Sequence, residues 1–477
     1  MARVKEIMVA KKELCILILA GGKGTRMKSD LPKPLHAVCG QPMLAHILKT
    51  AQQLKPAKIG VLTGHRAELL KEIVQTNLPL WGVKTPVDFI LQKNLTGSGT
   101  AAKDSAPFMQ KFARVIILAG DAPLIQPTTL KNLINKHNKS NAACTVLSVD
   151  IDNPKGYGRI VKDTRGAFEK IVEESETDTT TAQIKEINSG MYIFETKPLI
   201  AMLKLLKPQG PKKEYYLTDT LGFLKQKGFK TEVYKAADFK EAMGVNSKAQ
   251  LAQAAKLMQE GINLRHMDNG VTLIKPGDTY IEQGVQIGPD TIIYPGCFIK
   301  SGSKIAQNCV IGPDCWIENS VIEESSHIKS GCYLTQAYIG KNCAVGPYAH
   351  LRPQAVLKEN AKVGNFTEIK KSVIGAGSKV PHLSYIGDSQ VGRKVNVGAG
   401  TITCNYDGVN KYKTIIEDGV FVGSNTNFVA PVKIGKGALI AAGSTITQDI
   451  PEGSLAIARA RQVLKQKKKM FKKESKK

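Results

Sequence analysis

A step of six residues governs the second half of the chain. Ile281, Ile287, Ile293, Ile299, Ile305, Ile311 and Ile317 follow one another without a break. After a change of phase come Ile322, Ile328 and Leu334, then Ile339, Val345, Leu351, Leu357, Val363 and Ile369. Ile374, Val380 and Ile386 extend the series, and Phe428, Ile434, Ile440 and Ile446 close it. Neither the period of an α-helix nor the alternation of an ordinary strand has this step. A parallel β-helix does, with one aliphatic turned inward per flat face and Gly, Asn or Asp at the turns. Three faces make a coil of roughly eighteen residues, which predicts about nine coils. The phase changes and the unrepetitive CNYDGVNKYKT at 404–414 mark places where a loop leaves the prism. Loops on a rigid scaffold are where sites tend to lie. Flat apolar faces also predict side-by-side association.

Up to about residue 243 the rhythm is different. CILILAGG, KIGVLTGH, RVIILAGD and ACTVLSVD read as buried strands, and PMLAHILKTAQQL and LKNLINKHNK between them read as helices. Such alternation predicts a mainly parallel sheet covered by helices, with ligands beyond the carboxyl ends of the strands. The glycine loop after the first run and Gly120-Asp121 after RVIILA both occupy that position. A connecting helix follows, capped by Ser247 and marked by Leu251, Ala255, Met258 and Ile262 at helical spacing. The expected architecture is α/β: a Rossmann-like domain over 14–243, a linker helix over 244–266 and a left-handed parallel β-helix over 267–456. An extension over 1–13 and a basic tail over 457–477 flank them.

At 477 residues the chain exceeds one ordinary core, and no apolar run is long enough to cross a bilayer. Lys11 and Lys12 precede the apolar segment Leu14 to Ala20, but that segment is short and empties into the glycine loop. It reads as a first strand rather than a signal peptide, and the expected location is the cytoplasm. The nine cysteines form no CxxC pair and suggest neither zinc nor a disulfide framework. Six of them (Cys297, Cys309, Cys315, Cys332, Cys343 and Cys404) are read as small apolar packing residues of the repeat half. Part of the net charge of +26 is local, since residues 465–477 hold eight Lys against one Glu. No nucleic-acid reading motif accompanies that run, so neither nucleic-acid binding nor membrane insertion is expected. The remaining excess suits the steering of phosphorylated substrates.

The glycine loop opens ILAGGKGTRMKSDLPKP. No GxxxxGK string starts at Gly21 or Gly22, and Met27 stands where a dinucleotide fingerprint needs its third glycine. What remains is a GGxGTR turn with a Lys seven residues beyond the Arg. Bare glycines let backbone N–H groups approach a polyphosphate. Arg26 can grip a phosphate with parallel donors, while Lys33, stiffened between Pro32 and Pro34, is a mobile point charge. The arrangement points to phosphoryl or nucleotidyl transfer.

At these residues the chain resembles the sugar nucleotidyltransferases. With the repeat half attached, it is similar to the bifunctional N-acetylglucosamine-1-phosphate uridyltransferase/glucosamine-1-phosphate acetyltransferases. The likeness runs from residue 14 to about 460 and includes GDAPL, YGRI, EINSG, EYYLTD, RPQA, VGNF, HLSYIGD and NVGAGTITCNYDG. It implies that 14–243 is a nucleotidyltransferase domain joining UTP and N-acetylglucosamine 1-phosphate with release of pyrophosphate. Arg26 and Lys33 would stabilise the departing charge. Asp121 and Asn246 match the family's Mg2+ ligands, although each alone reads equally as a helix or strand cap. Leu19, Ala20, Gly21, Gly22, Ala119 and Gly120 match the nucleotide cradle. Gln92, Gly97 and Ser98 match uracil-recognising positions, and Gly158, Glu173 and Asn188 match residues holding the sugar. GSGTA at 97–101 replaces the commoner GTGHA, and Ala119 stands where some members carry Tyr.

The resemblance further implies that the repeat domain first moves acetyl from acetyl-CoA to the amine of glucosamine 1-phosphate. That amine must lose a proton, and His382 is the candidate base. Asn405 would orient the base or receive the developing oxyanion. Arg352 and Lys370 match phosphate-holding residues, and Tyr385 and Asn396 match partners of the sugar. Ala399, Tyr406, Ser424, Ala442 and Arg459 match positions contacting acetyl-CoA. Pro381 precedes the base where Gly or Ser is frequent. In the family such sites form between neighbouring prisms, so a homotrimer is expected, supplying a precursor of peptidoglycan and lipopolysaccharide. The alternative is a monofunctional nucleotidyltransferase whose β-helix is only a trimerisation scaffold.

Overall fold

The computed structural model describes residues 13–209 and 213–465. Nearly all of the expected N-terminal extension and the lysine-rich run after Lys465 lie outside the described residues. The chain divides into two compact units that part between Met258 and Gln259.

The first unit is built on a nine-stranded sheet. Its central strand, Leu14–Leu19, pairs in parallel with Lys58–Thr63 on one side and Arg114–Ala119 on the other. Alternate side chains enter opposite cores, as the pleat requires. Ile16 and Ile18 join a cluster with Leu44, Ile47 and Leu48 of the helix Met43–Gln52, whereas Cys15 and Leu17 join one with Phe108, Leu199 and Leu203. A run buried on both faces is apolar at every position, which is why LCILIL shows no alternation.

The sheet is less uniformly parallel than the apolar runs suggest. Glu186–Glu195 lies antiparallel between Arg114–Ala119 and Cys144–Asp150. A hairpin of Arg159–Lys162 with Phe168–Val172 attaches to it. An apolar run carries no direction, so this reversal left no mark in the pattern. Leu19 is paired with Ala119, and Gly120 N donates to Leu19 O at 2.9 Å. The glycine loop and Gly120-Asp121 therefore lie side by side beyond the carboxyl ends of two central strands.

The connecting helix runs Lys248–Asp268, starting four residues later than the expected 244. Ser247 caps it: Gln250 N donates to Ser247 Oγ at 3.2 Å, and Gln250 Oε1 accepts from Asn246 N at 2.8 Å. The first bond satisfies a free N–H of the opening turn, and the second fixes Asn246 just ahead of the helix.

The second unit is a parallel β-helix of three sheets with eleven, ten and nine strands. Successive strands fall on the three faces in turn, and most are two residues long. There are ten coils rather than nine, because many take seventeen residues: Val310 pairs with His327, and His327 with Ala344. The inward series also continues where the aliphatic pattern lapses. Val391, Val397, Thr403, Ile416 and Val422 are all buried. Each short step passes from the second face to the third: Ile317 to Ile322, Leu334 to Ile339, Ile369 to Ile374 and Ile386 to Val391. The 404–413 loop leaves at the same edge, where Ser389 pairs with Thr414.

No two of the nine cysteines are joined by a disulfide. Eight are buried, but Cys404 is exposed at the root of the loop, which corrects its reading as a packing residue. On the outside of the second face Tyr280, Phe298, Trp316, Tyr333 and His350 form a ladder, with ring centroids 5.3–5.7 Å apart. Among the described residues no helix is long and apolar enough to cross a membrane.

Candidate active sites

The central strand ends at Leu19, and residues 20–24 lead from it into a tight turn at Thr25–Met27. Gly24 has φ +61°, and a Cβ there would lie 2.9 Å from Lys33 Cβ, so the position requires glycine. Beside Gly22 the space a side chain would fill is open. Arg26 is exposed, and among the described residues it has no hydrogen-bond or ion-pair partner. Lys33 is different. Its side chain is 16% exposed, and its ammonium donates to Asp121 Oδ2 and, at 3.0 Å, to Asn246 Oδ1. Residues 88 and 213 positions apart in sequence thus converge at the mouth of the loop. Val245 N donates to the carbonyl of Asp121 at 2.9 Å, which ties the capped end of the helix to the strand end.

At one flank Gln92, 8% exposed, lies over Gly21 and donates from Nε2 to Asn94 O at 3.0 Å. Thr100, in the GSGTA variant, brings its hydroxyl within 3.4 Å of that same amide. Ser98 Oγ accepts from Leu217 N at 3.0 Å, and a Cβ on Gly97 would strike the carbonyl of Tyr215. At the other flank the three expected sugar residues meet. Asn188 N donates to Gly158 O at 2.8 Å, and Glu173 Oε2 lies 3.3 Å from where a Gly158 Cβ would be. Glu173 Oε1 accepts from Thr218 Oγ1 at 2.7 Å, and Asn188 Nδ2 donates to Tyr192 OH at 2.7 Å. Burial pushes the Glu173 carboxyl up.

Asp219, in EYYLTD, carries no signal of its own in the sequence, because an acid opening a helix is commonplace. Burial, with Glu176 and Glu173 nearby, pushes its carboxyl up to about 6. Between the ordinary aspartate range and 6 the folded protein keeps a proton that the unfolded chain has released, so stability falls as pH rises through that window. Asp219→Asn removes the penalty. Its melting temperature should match wild type near pH 4 and exceed it by a few degrees at pH 7, measured by calorimetry across that range.

In the β-helix the expected residues fall on two edges of one face. His382, Ala399, Ser424, Ala442 and Arg459 stack along the edge between the first and second faces. Asn425 N donates to Ala399 O at 2.7 Å, Gly443 N to Ser424 O at 2.8 Å, and Arg459 Nη1 to Ala442 O at 2.6 Å. Asn396 lies on the adjoining first face, in the strand Asn396–Val397. Arg352 and Lys370 lie at the edge between the second and third faces, with Tyr385 on the second face. Arg352 Nη1 donates to Glu368 Oε1 at 2.7 Å and Lys370 Nζ to Asp388 Oδ2 at 3.2 Å. Asn405, 7% exposed, donates to Asp388 Oδ2, and Tyr406 in the following loop is exposed.

Within one chain Asn405 therefore serves Asp388, and the side chain bonded to His382 is Asn365, its Oδ1 2.6 Å from His382 Nδ1. Lys411, carried by the loop, approaches Lys370, and that contact pushes its ammonium down. Asn365, Asp388 and Lys411 carry no individual signal in the sequence, although VGNF, HLSYIGD and the loop CNYDGVNKYKT contain them.

The family described as Nucleotidyl transferase matches residues 15–239. The GMPPB C-terminal domain family matches 280–363, and the Bacterial transferase hexapeptide (six repeats) family matches 413–448. The chain is 45% identical over 453 residues to a Clostridium acetobutylicum protein called Bifunctional protein GlmU, covering 95% of this chain and 97% of that one. Proteins of the same name from Syntrophomonas wolfei and Clostridioides difficile are 44% and 43% identical, over 94% of this chain and 98% and 96% of theirs.

Proposed function

The chain belongs to the bifunctional GlmU family, and from that premise we propose how its two centres divide the work. The protein is a transferase with two activities. Its β-helix domain acetylates glucosamine 1-phosphate from acetyl-CoA, and its nucleotidyltransferase domain joins the N-acetylated product to UTP. The products are UDP-N-acetylglucosamine and pyrophosphate. The observation that carries the uridylyl-transfer assignment is the convergence of Lys33, Asp121 and Asn246 at the mouth of the glycine loop.

At the uridylyl centre the sugar phosphate oxygen attacks the α-phosphorus of UTP, and pyrophosphate leaves with the bonding pair. Arg26, without a partner among the described residues, receives the charge of the departing group. Gln92, Gly97 and Ser98 hold the base, with Thr100 beside Gln92. Gly158, Glu173 and Asn188 hold the sugar. Asp121 and Asn246 offer two hard oxygens that already hold a cation, the Lys33 ammonium, so the pair fits Mg2+. When bound, that ion would neutralise phosphate charge.

At the acetyl centre His382 takes a proton from the sugar amine. The amine nitrogen attacks the thioester carbonyl, and CoA thiolate leaves. Arg352 and Lys370 hold the sugar phosphate, with Tyr385 and Asn396 on the sugar. Ala399, Ser424, Ala442 and Arg459 line the acetyl-CoA edge, and Tyr406 contacts acetyl-CoA from the loop at the other edge. One prism keeps its cationic edge and its His382 edge a face apart. Three prisms side by side would bring the edges of neighbours together, which supports a homotrimer. Nine cysteines with no disulfide among them support a reducing, cytoplasmic location.

Purified protein should release CoA from acetyl-CoA with glucosamine 1-phosphate, and pyrophosphate from UTP with N-acetylglucosamine 1-phosphate. Chelation of divalent cations should abolish the second and spare the first. No CoA release would leave the β-helix as a scaffold only.

A further inference from the structure

The base needs a lone pair facing the amine, and the described residues show one group able to decide which ring nitrogen has it. Asn365 ends the strand Lys362–Asn365, and His382 ends Lys379–His382 on the next coil, directly in register. Their approach depends on Gly364, where a Cβ would stand 1.7 Å from the carbonyl oxygen of Pro381. No larger residue fits, so one strand end rests on the other with only the two side chains beyond it. Asn365 is half-buried, whereas His382 is exposed.

We propose that Asn365 is a positioning residue for acetyl transfer: its Oδ1 accepts from His382 Nδ1–H, which leaves the Nε2 lone pair to take the amine proton. The inference rests on His382 being the base. An amide oxygen accepts only, so a proton on Nδ1 is the arrangement that makes this bond. A carboxylate in the same place would fix the same tautomer, but it would also favour the imidazolium and disarm the base near neutral pH. The amide sets the ring without adding charge.

The surroundings agree with that division. Of the ionisable groups on the adjoining strands, Arg352 is paired with Glu368 and Lys370 with Asp388. Lys362 and Lys379 stand at the far ends of the two strands, and Tyr385 lies on the second face. Among the described residues none of these forms an ion pair or hydrogen bond with His382.

The test is the pH dependence of kcat/KM for acetyl transfer in the full-length enzyme. Asn365→Asp should move the acid limb up by about 1–3 pH units, with activity recovering in alkali. Asn365→Leu should lower kcat about 10–100-fold with KM for acetyl-CoA and the acid limb unchanged. Uridylyl transfer should be unaffected in both, which reports that each variant folds. An acid limb for Asn365→Asp that coincides with wild type would overturn the proposal. So would a Leu variant that turns over at the wild-type rate. Substantial acetyl transfer by His382→Ala would instead remove the base assignment beneath it, a separate failure.

Discussion

Replacing His382 by alanine is expected to lower kcat for acetyl transfer about 10²–10⁴-fold, the span a positioned general base supplies. The substitution is clean because His382 is exposed and ends its strand. It fills no part of the prism interior, whose nearest inward residue is Val380 at 0% exposure. The melting temperature should hardly move, and CoA release measured with a thiol reagent reads the loss directly. UTP-dependent pyrophosphate release should continue at the wild-type rate.

Arg26→Ala is the mirror experiment. An arginine facing the charge of a departing phosphoryl group is worth about 10³-fold or more, so uridylyl transfer should fall by that factor while acetyl transfer persists. Arg26 is a better probe than Lys33. Among the described residues it has no partner to abandon, whereas removing Lys33 would strand Asp121 and Asn246 without the cation that joins them. Pyrophosphate release at saturating UTP measures the effect. Loss of both activities from either substitution would contradict two independent centres.

What the chain announces in advance depends on how locally each feature is encoded. The glycine turn with Arg26 and Lys33, the capping of Ser247 and the six-residue series are short-range patterns, and each has its counterpart in the coordinates. The reversed strand Glu186–Glu195 was illegible because direction is set by connection, not composition. The aliphatic series fades after Ile386 for two reasons. An insertion breaks the count, and Thr403 takes an inward place that the pattern reserves for aliphatics. Its hydroxyl is satisfied by the preceding coil, accepting from Gly387 N at 2.8 Å. Asn365 and Asp388 matter through neighbours one coil away, a separation at which polar residues at turns look alike.

The inconstant step of the repeat has a consequence for how such a protein can change. Every shortened stride, and the one long excursion at 404–413, falls on a single corner, the one that carries Arg352, Lys370, Asp388 and Asn405. Chain can be spliced in or out along that seam while the opposite column keeps its vertical spacing. Ala399 and Ser424 remain stacked neighbours although the excursion lies between them. The rim proposed for the sugar phosphate is thus open to remodelling, and the rim proposed for the acetyl donor is held to a fixed gauge.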